Sequence, residues 1–195
     1  NVQLSIDNLT ITNCTAEEGA GICILANNVK LGENTDFSYN NGAGVTVGPG
    51  PFYGETEVAD VIGTFAAIYI REPEISLQTA SHGANSRVTI SGSNNYNSGN
   101  GIELRGATCT FSSSATANSN NSSAIYMTQG TSWWTTYYAK LSSYGKMNSN
   151  GGSGIYAENN ASGYIYIYNG TTISYNGYQG ISNKSSSCPL SISGG

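Results

Sequence analysis

Seven times along the chain a small residue precedes a branched aliphatic one: Gly21-Ile22, Gly44-Val45, Ala67-Ile68, Gly101-Ile102, Ala124-Ile125, Gly154-Ile155 and Gly180-Ile181. Successive anchors lie 23, 23, 34, 23, 30 and 26 residues apart, a period of 23 with insertions of 11, 7 and 3. A chain that repeats at such a period makes one small unit per repeat, and a unit this short buries a core only by stacking on its neighbours.

The unit itself reads as strands. Two residues beyond the anchor stand Ile24, Val47, Ile70, Leu104, Met127 and Ala157, and between anchor and partner stand Cys23, Thr46, Tyr69, Glu103, Tyr126, Tyr156 and Ser182. That alternation belongs to a strand with one face inward and one outward. A second strand is expected seven and nine residues past the anchor, at Val29/Leu31, Ile75/Leu77, Cys109/Phe111 and Cys188/Leu190. A third inward position falls eight before the next anchor, at Cys14, Phe37, Ala117, Met147 and Ile173.

Five residues before the anchor a turn is marked by Asn40, Asn97, Asn120, Asn150 and Asn176. Asn tolerates left-handed backbone, and its amide can bond the next Asn in a stack. The small residue before the anchor permits a tight bend where a Cβ would clash. Three short strands and two turns per unit are what one coil of a parallel β-helix needs, with like residues stacked about 4.8 Å apart. The expectation is an all-β fold: a single right-handed parallel β-helix domain over 1-195, with about eight coils of ~23 residues and insertions near 78-88 and 128-140.

Charge narrows the function classes. Only 10% of residues are charged, against about a quarter in an average globular chain. Residues 1-75 carry ten carboxylates and two cations, net −8, whereas 76-195 carry two carboxylates and five cations, net +3. This polarity serves solubility or draws opposite ends together in an end-to-end assembly. With no basic cluster, nucleic acid is not expected as a partner. The longest mainly apolar run, Val58 to Ile70, contains Asp60 and is too short to span a bilayer. The start without Met and the closing Leu190-Ser-Ile-Ser-Gly-Gly195 suggest a processed product or part of a longer repeat chain.

Phe37-Ser-Tyr-Asn40 followed by Gly42-Ala-Gly-Val45 resembles the FxxN and GGA[ILV] repeats of chlamydial polymorphic outer-membrane proteins and adhesin-like β-helix proteins. Here GAG replaces GGA, and the Phe position drifts to Ala117, Met147 and Ile173. The resemblance implies an extracellular or cell-surface protein, adhesive or structural, partnered by itself, by other surface proteins or by glycans.

Candidate site residues follow from the outward face. Tyr69, Glu103, Tyr126 and Tyr156 one past the anchor, with Arg71, Arg105 and Glu158 three past it, are expected to form one ladder. One flanking insertion holds His82, a lone histidine without a nucleophile partner, and the other holds Trp133, Trp134, Tyr137 and Tyr138. Tyrosine and tryptophan beside Arg and Glu suit sugar rings, and the tryptophans suit another subunit. The alternative is a polysaccharide-cleaving enzyme, hydrolase or lyase, with Glu103 and Glu158 two coils apart at about 9.6 Å, close to the inverting range. The acids do not cluster on one face, so no catalytic residue is assigned and the chain is read as a non-enzyme.

The four cysteines, Cys14, Cys23, Cys109 and Cys188, are read as unpaired, with Cys109 and Cys188 in one inward column three coils apart. One His and no Cys/His spacing leave no metal site, and no cofactor is expected. Seven glycosylation sequons start at Asn8, Asn13, Asn120, Asn121, Asn160, Asn169 and Asn183.

Overall fold

The computed structural model describes residues 4–15, 20, 22–25, 29–42, 45–49, 68–72, 87–131 and 136–193, with backbone alone for strand residues 22–25, 45–49, 68–72, 131, 136 and 137. The first turn holds β1 (Leu4–Ile6) and β2 (Ile22–Leu25), the second β3 (Val29–Leu31) and β4 (Val45–Pro49). An excursion then contributes β5 (Ile68–Glu72). β6 (Arg87–Ile90) with β7 (Ile102–Arg105), and β8 (Thr108–Phe111) with β9 (Ile125–Thr128), form the next turns. After the hairpin β10 (Gly130–Thr131) and β11 (Thr136–Tyr137), one turn has β12 (Ala139–Ser143), β13 (Lys146–Asn148) and β14 (Ile155–Ala157). Another has β15 (Gly163–Tyr168), β16 (Thr172–Ser174) and β17 (Ile181–Asn183), and β18 (Leu190–Ser193) begins one more.

These strands stack into two seven-stranded sheets, sheet I in the order β1-β3-β6-β8-β12-β15-β18 and sheet II in the order β17-β14-β9-β7-β4-β5-β2. Every pairing within them is parallel. A third face is bridged through Thr10, Asp36, Ser93, Thr116 and Lys146 and continues from β13 to β16. The fold is a parallel β-solenoid, as the period requires. It has about five complete turns, with a partial one at either end, not eight.

One of the missing coils has a specific cause. All seven anchors do form one column of sheet II, in the order Ile22, Ile68, Val45, Ile102, Ile125, Ile155, Ile181. Ile68, however, begins a strand inserted between β2 and β4, with no matching strand in sheet I among the described residues. The Ala67-Ile68 signal specifies a strand that fits the anchor column and leaves its rung undetermined. The small residue itself acts as expected: a Cβ on Gly101 would sit 2.7 Å from the Ala124 carbonyl oxygen, and one on Gly154 2.6 Å from that of Gly180.

At the corner the conformational roles are shifted by one residue. The left-handed residues are Tyr39, Tyr96, Ser119, Ser149 and Tyr175, with φ of 54 to 59°, each directly before the Asn. The Asn amides are thereby turned inward. The backbone N–H of Asn40, Asn97, Asn120 and Asn150 each donates to the Oδ1 of the next corner Asn, at 3.0–3.1 Å. Their Nδ2 groups donate to that same Oδ1 from Asn97, Asn120 and Asn150, at 2.9–3.0 Å, and to the carbonyls of Phe37 and Ile11 from Asn40. A parallel ladder runs two residues earlier: Asn118 N–H donates to Asn95 Oδ1 at 2.7 Å and Asn148 N–H to Asn118 Oδ1 at 2.7 Å. In the first turn Cys14, not an Asn, occupies the corner, donating its N–H to Asn40 Oδ1 at 3.0 Å. The inward position there belongs to Ile11, not to Cys14.

Between the sheets lies a continuous apolar core. One column holds Val29, Val88, Cys109, Leu141 and Ile165, and another Leu31, Ile90, Phe111 and Ile167, interrupted by Ser143, all buried. Each such aliphatic or aromatic side chain contributes roughly 1.5–3 kcal/mol. Cys188 is buried but lies two residues short of Leu190, which is the residue in the Cys109 column, so the two cysteines do not share it. Cys14, Cys109 and Cys188 are free thiols, and burial raises the pKa of Cys109 and Cys188. The Cys23 side chain, Ile75/Leu77 and the insertion residues 78–86 lie outside the described residues, as do those of 132–135.

Candidate functional site

The outward column of sheet II runs Cys23, Tyr69, Thr46, Glu103, Tyr126, Tyr156, Ser182. Tyr69 is therefore separated from Glu103 by Thr46, and Arg71 pairs with Gly48 and Leu25, away from Arg105. The side chains of Tyr69 and Arg71, and all of Trp133 and Trp134, lie outside the described residues. What the structure brings together is Glu103, Arg105, Tyr126, Tyr156 and Glu158.

These five do not present one open ladder. Glu103 is fully buried, and Arg105 binds it through Nε and Nη2, both at 2.7 Å from Oε1. On the next rung the Tyr126 hydroxyl is bonded to Glu158, and its pKa is raised by burial first and then by that carboxylate. Tyr126 and Tyr156 stack with centroids 5.7 Å apart and planes 10° apart, and Lys184 Nζ lies 5.2 Å from the Tyr156 centroid. Both faces of Tyr156 are thus occupied, and the pair offers ring edges and hydroxyls.

Beside that pair runs an open groove of about 430 Å³, whose lining includes Tyr126, Ser153, Tyr156, Tyr178, Gln179 and Lys184. Tyr178 is 74% exposed, so its ring face is free. Among the described residues no Asp or Glu lines the groove, and Lys184 is the one charged residue that does. Sequence reasoning missed Tyr178, Gln179 and Lys184; they cluster around Ile181, where the last Asn-Gly corner reads Asn176-Gly-Tyr-Gln-Gly180. No group of three or more metal-ligating side chains occurs among the described residues.

The sequons separate by burial. Asn8, Asn13, Asn121, Asn160, Asn169 and Asn183 are exposed, whereas Asn120 is 1% exposed and built into the corner ladder. Asn120 is therefore no acceptor in the folded protein.

The fold is a parallel β-solenoid, and its groove is an aromatic furrow with one lysine in its described lining. Comparison with known proteins finds no matching family model, curated protein or solved structure.

Proposed function

We propose that the protein is an extracellular or cell-surface β-solenoid of adhesive role that binds acidic glycans along the Tyr126–Tyr156–Tyr178 groove. The observation that carries the reading is the exposed Tyr178, which lines one furrow together with Tyr126, Tyr156 and Lys184 and with no carboxylate among the described residues. A sugar lays its apolar face on Tyr178, its hydroxyls bond Gln179, Ser153 and the Tyr156 hydroxyl, and its carboxylate meets Lys184. Cleavage of the polysaccharide is the weaker reading: Glu103 is fully buried against Arg105, which removes one of the two carboxylates a hydrolase would need at the substrate.

Calorimetric titration with an oligogalacturonide and a neutral cello-oligosaccharide tests this. Tyr178→Ala and Lys184→Gln are each expected to weaken galacturonide binding about tenfold, equivalent to ~1.4 kcal/mol, with unchanged far-UV circular dichroism. No binding of the galacturonide by the unaltered protein, or binding indifferent to both changes, refutes it. Appearance of reducing ends or unsaturated products, lost in Glu103→Gln, would establish the enzyme instead.

A further inference from the structure

Tyr39 and Tyr96 form a stacked pair open to solvent. Their ring centroids lie 4.9 Å apart with planes 8° apart, and the two residues are 56% and 54% exposed. The stacked pairs Tyr126–Tyr156 and Tyr144–Tyr168 are half-buried instead. Tyr164 and Tyr166 also stack, but they sit on one strand, so a bond between them would tie no two parts of the chain together. Tyr39 and Tyr96 belong to successive turns and are 57 residues apart in sequence, with the whole excursion between β4 and β6 lying between them.

The backbone holds this pair in register. Both residues are left-handed, with φ of 59° and 57°, so their side chains leave the corner in the same direction. Tyr39 N–H donates to the Asn95 carbonyl and Tyr96 N–H to the Asn118 carbonyl, both at 3.0 Å. Beside them the Asn40 N–H donates to Asn97 Oδ1 at 3.1 Å. Tyr96 is in effect Tyr39 moved along by one rung, and each ring carbon lies roughly 4.8 Å from its counterpart. The same position is taken by Asn13 on the rung beside Tyr39 and by Ser119 on the rung beside Tyr96. Along this corner each of the two rings therefore has the other as its one tyrosine neighbour.

We propose that Tyr39 and Tyr96 are a site of oxidative cross-linking, at which a peroxidase using hydrogen peroxide joins the two phenols as dityrosine. Each phenol gives up one electron and its hydroxyl proton, leaving a radical shared between the oxygen and the ring carbons ortho to it. One ortho carbon of Tyr39 bonds to one of Tyr96, and the hydrogen on each of those carbons passes to its own phenol oxygen as the rings regain aromaticity. The pair loses two hydrogen atoms in all, and one hydrogen peroxide accepts them and becomes two waters. Exposure lets the rings turn about their Cα–Cβ bonds to close the remaining distance, while the pinned corners keep them adjacent. The new bond clamps the second turn to the third. Closing so long a loop removes conformational freedom from the unfolded chain, so the clamp stabilises the fold.

The cross-link is independent of the glycan groove, whose lining includes neither ring, and its test uses no glycan. The full chain at low concentration is treated with a haem peroxidase and hydrogen peroxide, and the monomer is isolated. It is expected to show dityrosine fluorescence, with tandem mass spectrometry of a digest finding the Tyr39 and Tyr96 peptides joined and lighter by two hydrogens. Its urea midpoint is expected to lie above that of the untreated chain. Tyr39→Phe and Tyr96→Phe keep the stacked ring and remove the phenol; each is expected to fold unchanged by circular dichroism and to lose the fluorescence of the monomer. Tyr175→Phe is the control. Tyr175 is 90% exposed, but the same position on the adjoining rung is Ser149, so this variant is expected to form the link as before. A monomer without dityrosine, a bond between other tyrosines in its place, or fluorescence undiminished in both Phe variants would overturn the inference. So would a linked chain whose urea midpoint is unchanged.

Discussion

Buried amides at the corner are tied together so closely that each replaces several backbone partners at once. Asn120→Ala would leave the Asn97 N–H and Nδ2 without their acceptor and the Asn94 carbonyl without its donor. A loss of about 2–4 kcal/mol is expected from the orphaned groups, measured by urea unfolding. Asn94 is the contrary case. It occupies the inward position held elsewhere by Phe37, Ala117 and Met147, is fully buried, and neither side-chain polar atom has a partner among the described residues. Asn94→Leu keeps the branching and removes the desolvated amide, so a gain of about 1–2 kcal/mol is expected in the same measurement. The corner column was legible in the sequence because the Asn recurs with the period. Which residue is left-handed was not, because intrinsic preference points to the Asn. Inward hydrogen bonding assigns that backbone to Tyr39, Tyr96 or Ser119 instead, at a cost of about 1–2 kcal/mol each. The second ladder had a signal too, the Asn-x-Asn of Asn95-Tyr-Asn97, Asn118-Ser-Asn120 and Asn148-Ser-Asn150.

Strands were legible wherever inward and outward positions alternate, as in Ile102-Glu103-Leu104 and Ile165-Tyr166-Ile167. Their order was less so. Nothing local to Ile68-Tyr69-Ile70 distinguishes a strand that opens a new coil from one inserted between two existing ones, because both present the same face to the same column. The outward label also misled at Glu103, since a position off the core can still be sealed by an ion partner and its surroundings. Conversely, the glycine opening β15 carries a demand that composition hides among 25 glycines. Gly163 has φ +133°, and a Cβ there would collide with the Ala139 carbonyl of the adjoining strand. Gly163→Ala is expected to cost about 3 kcal/mol or more from strain and clash together, whereas Gly170→Ala, at φ +93° but in open space, should cost about 1 kcal/mol. Thermal melts of the two variants side by side check the difference.

Across the whole molecule the stretch between β4 and β6 sets the rung order, because it supplies β5 between β4 and β2. Replacing residues 50–86 by a Gly-Ala pair, the link between β7 and β8, should bring β2 directly against β4 and yield a folded, shorter solenoid whose far-UV circular dichroism remains β-type. That order is invisible in the sequence because it is a three-dimensional property. The corner has a wider consequence. Since the buried Asn carries its bonding, the side chain just before it is released from structural duty, and Tyr39 and Tyr96 show the spacing of such free positions, stacked with centroids 4.9 Å apart. Ser119, Ser149 and Tyr175 continue the row. The edge is a graduated ruler, on which chemistry can be rewritten mark by mark, about every 4.8 Å, while the scaffold beneath stays the same.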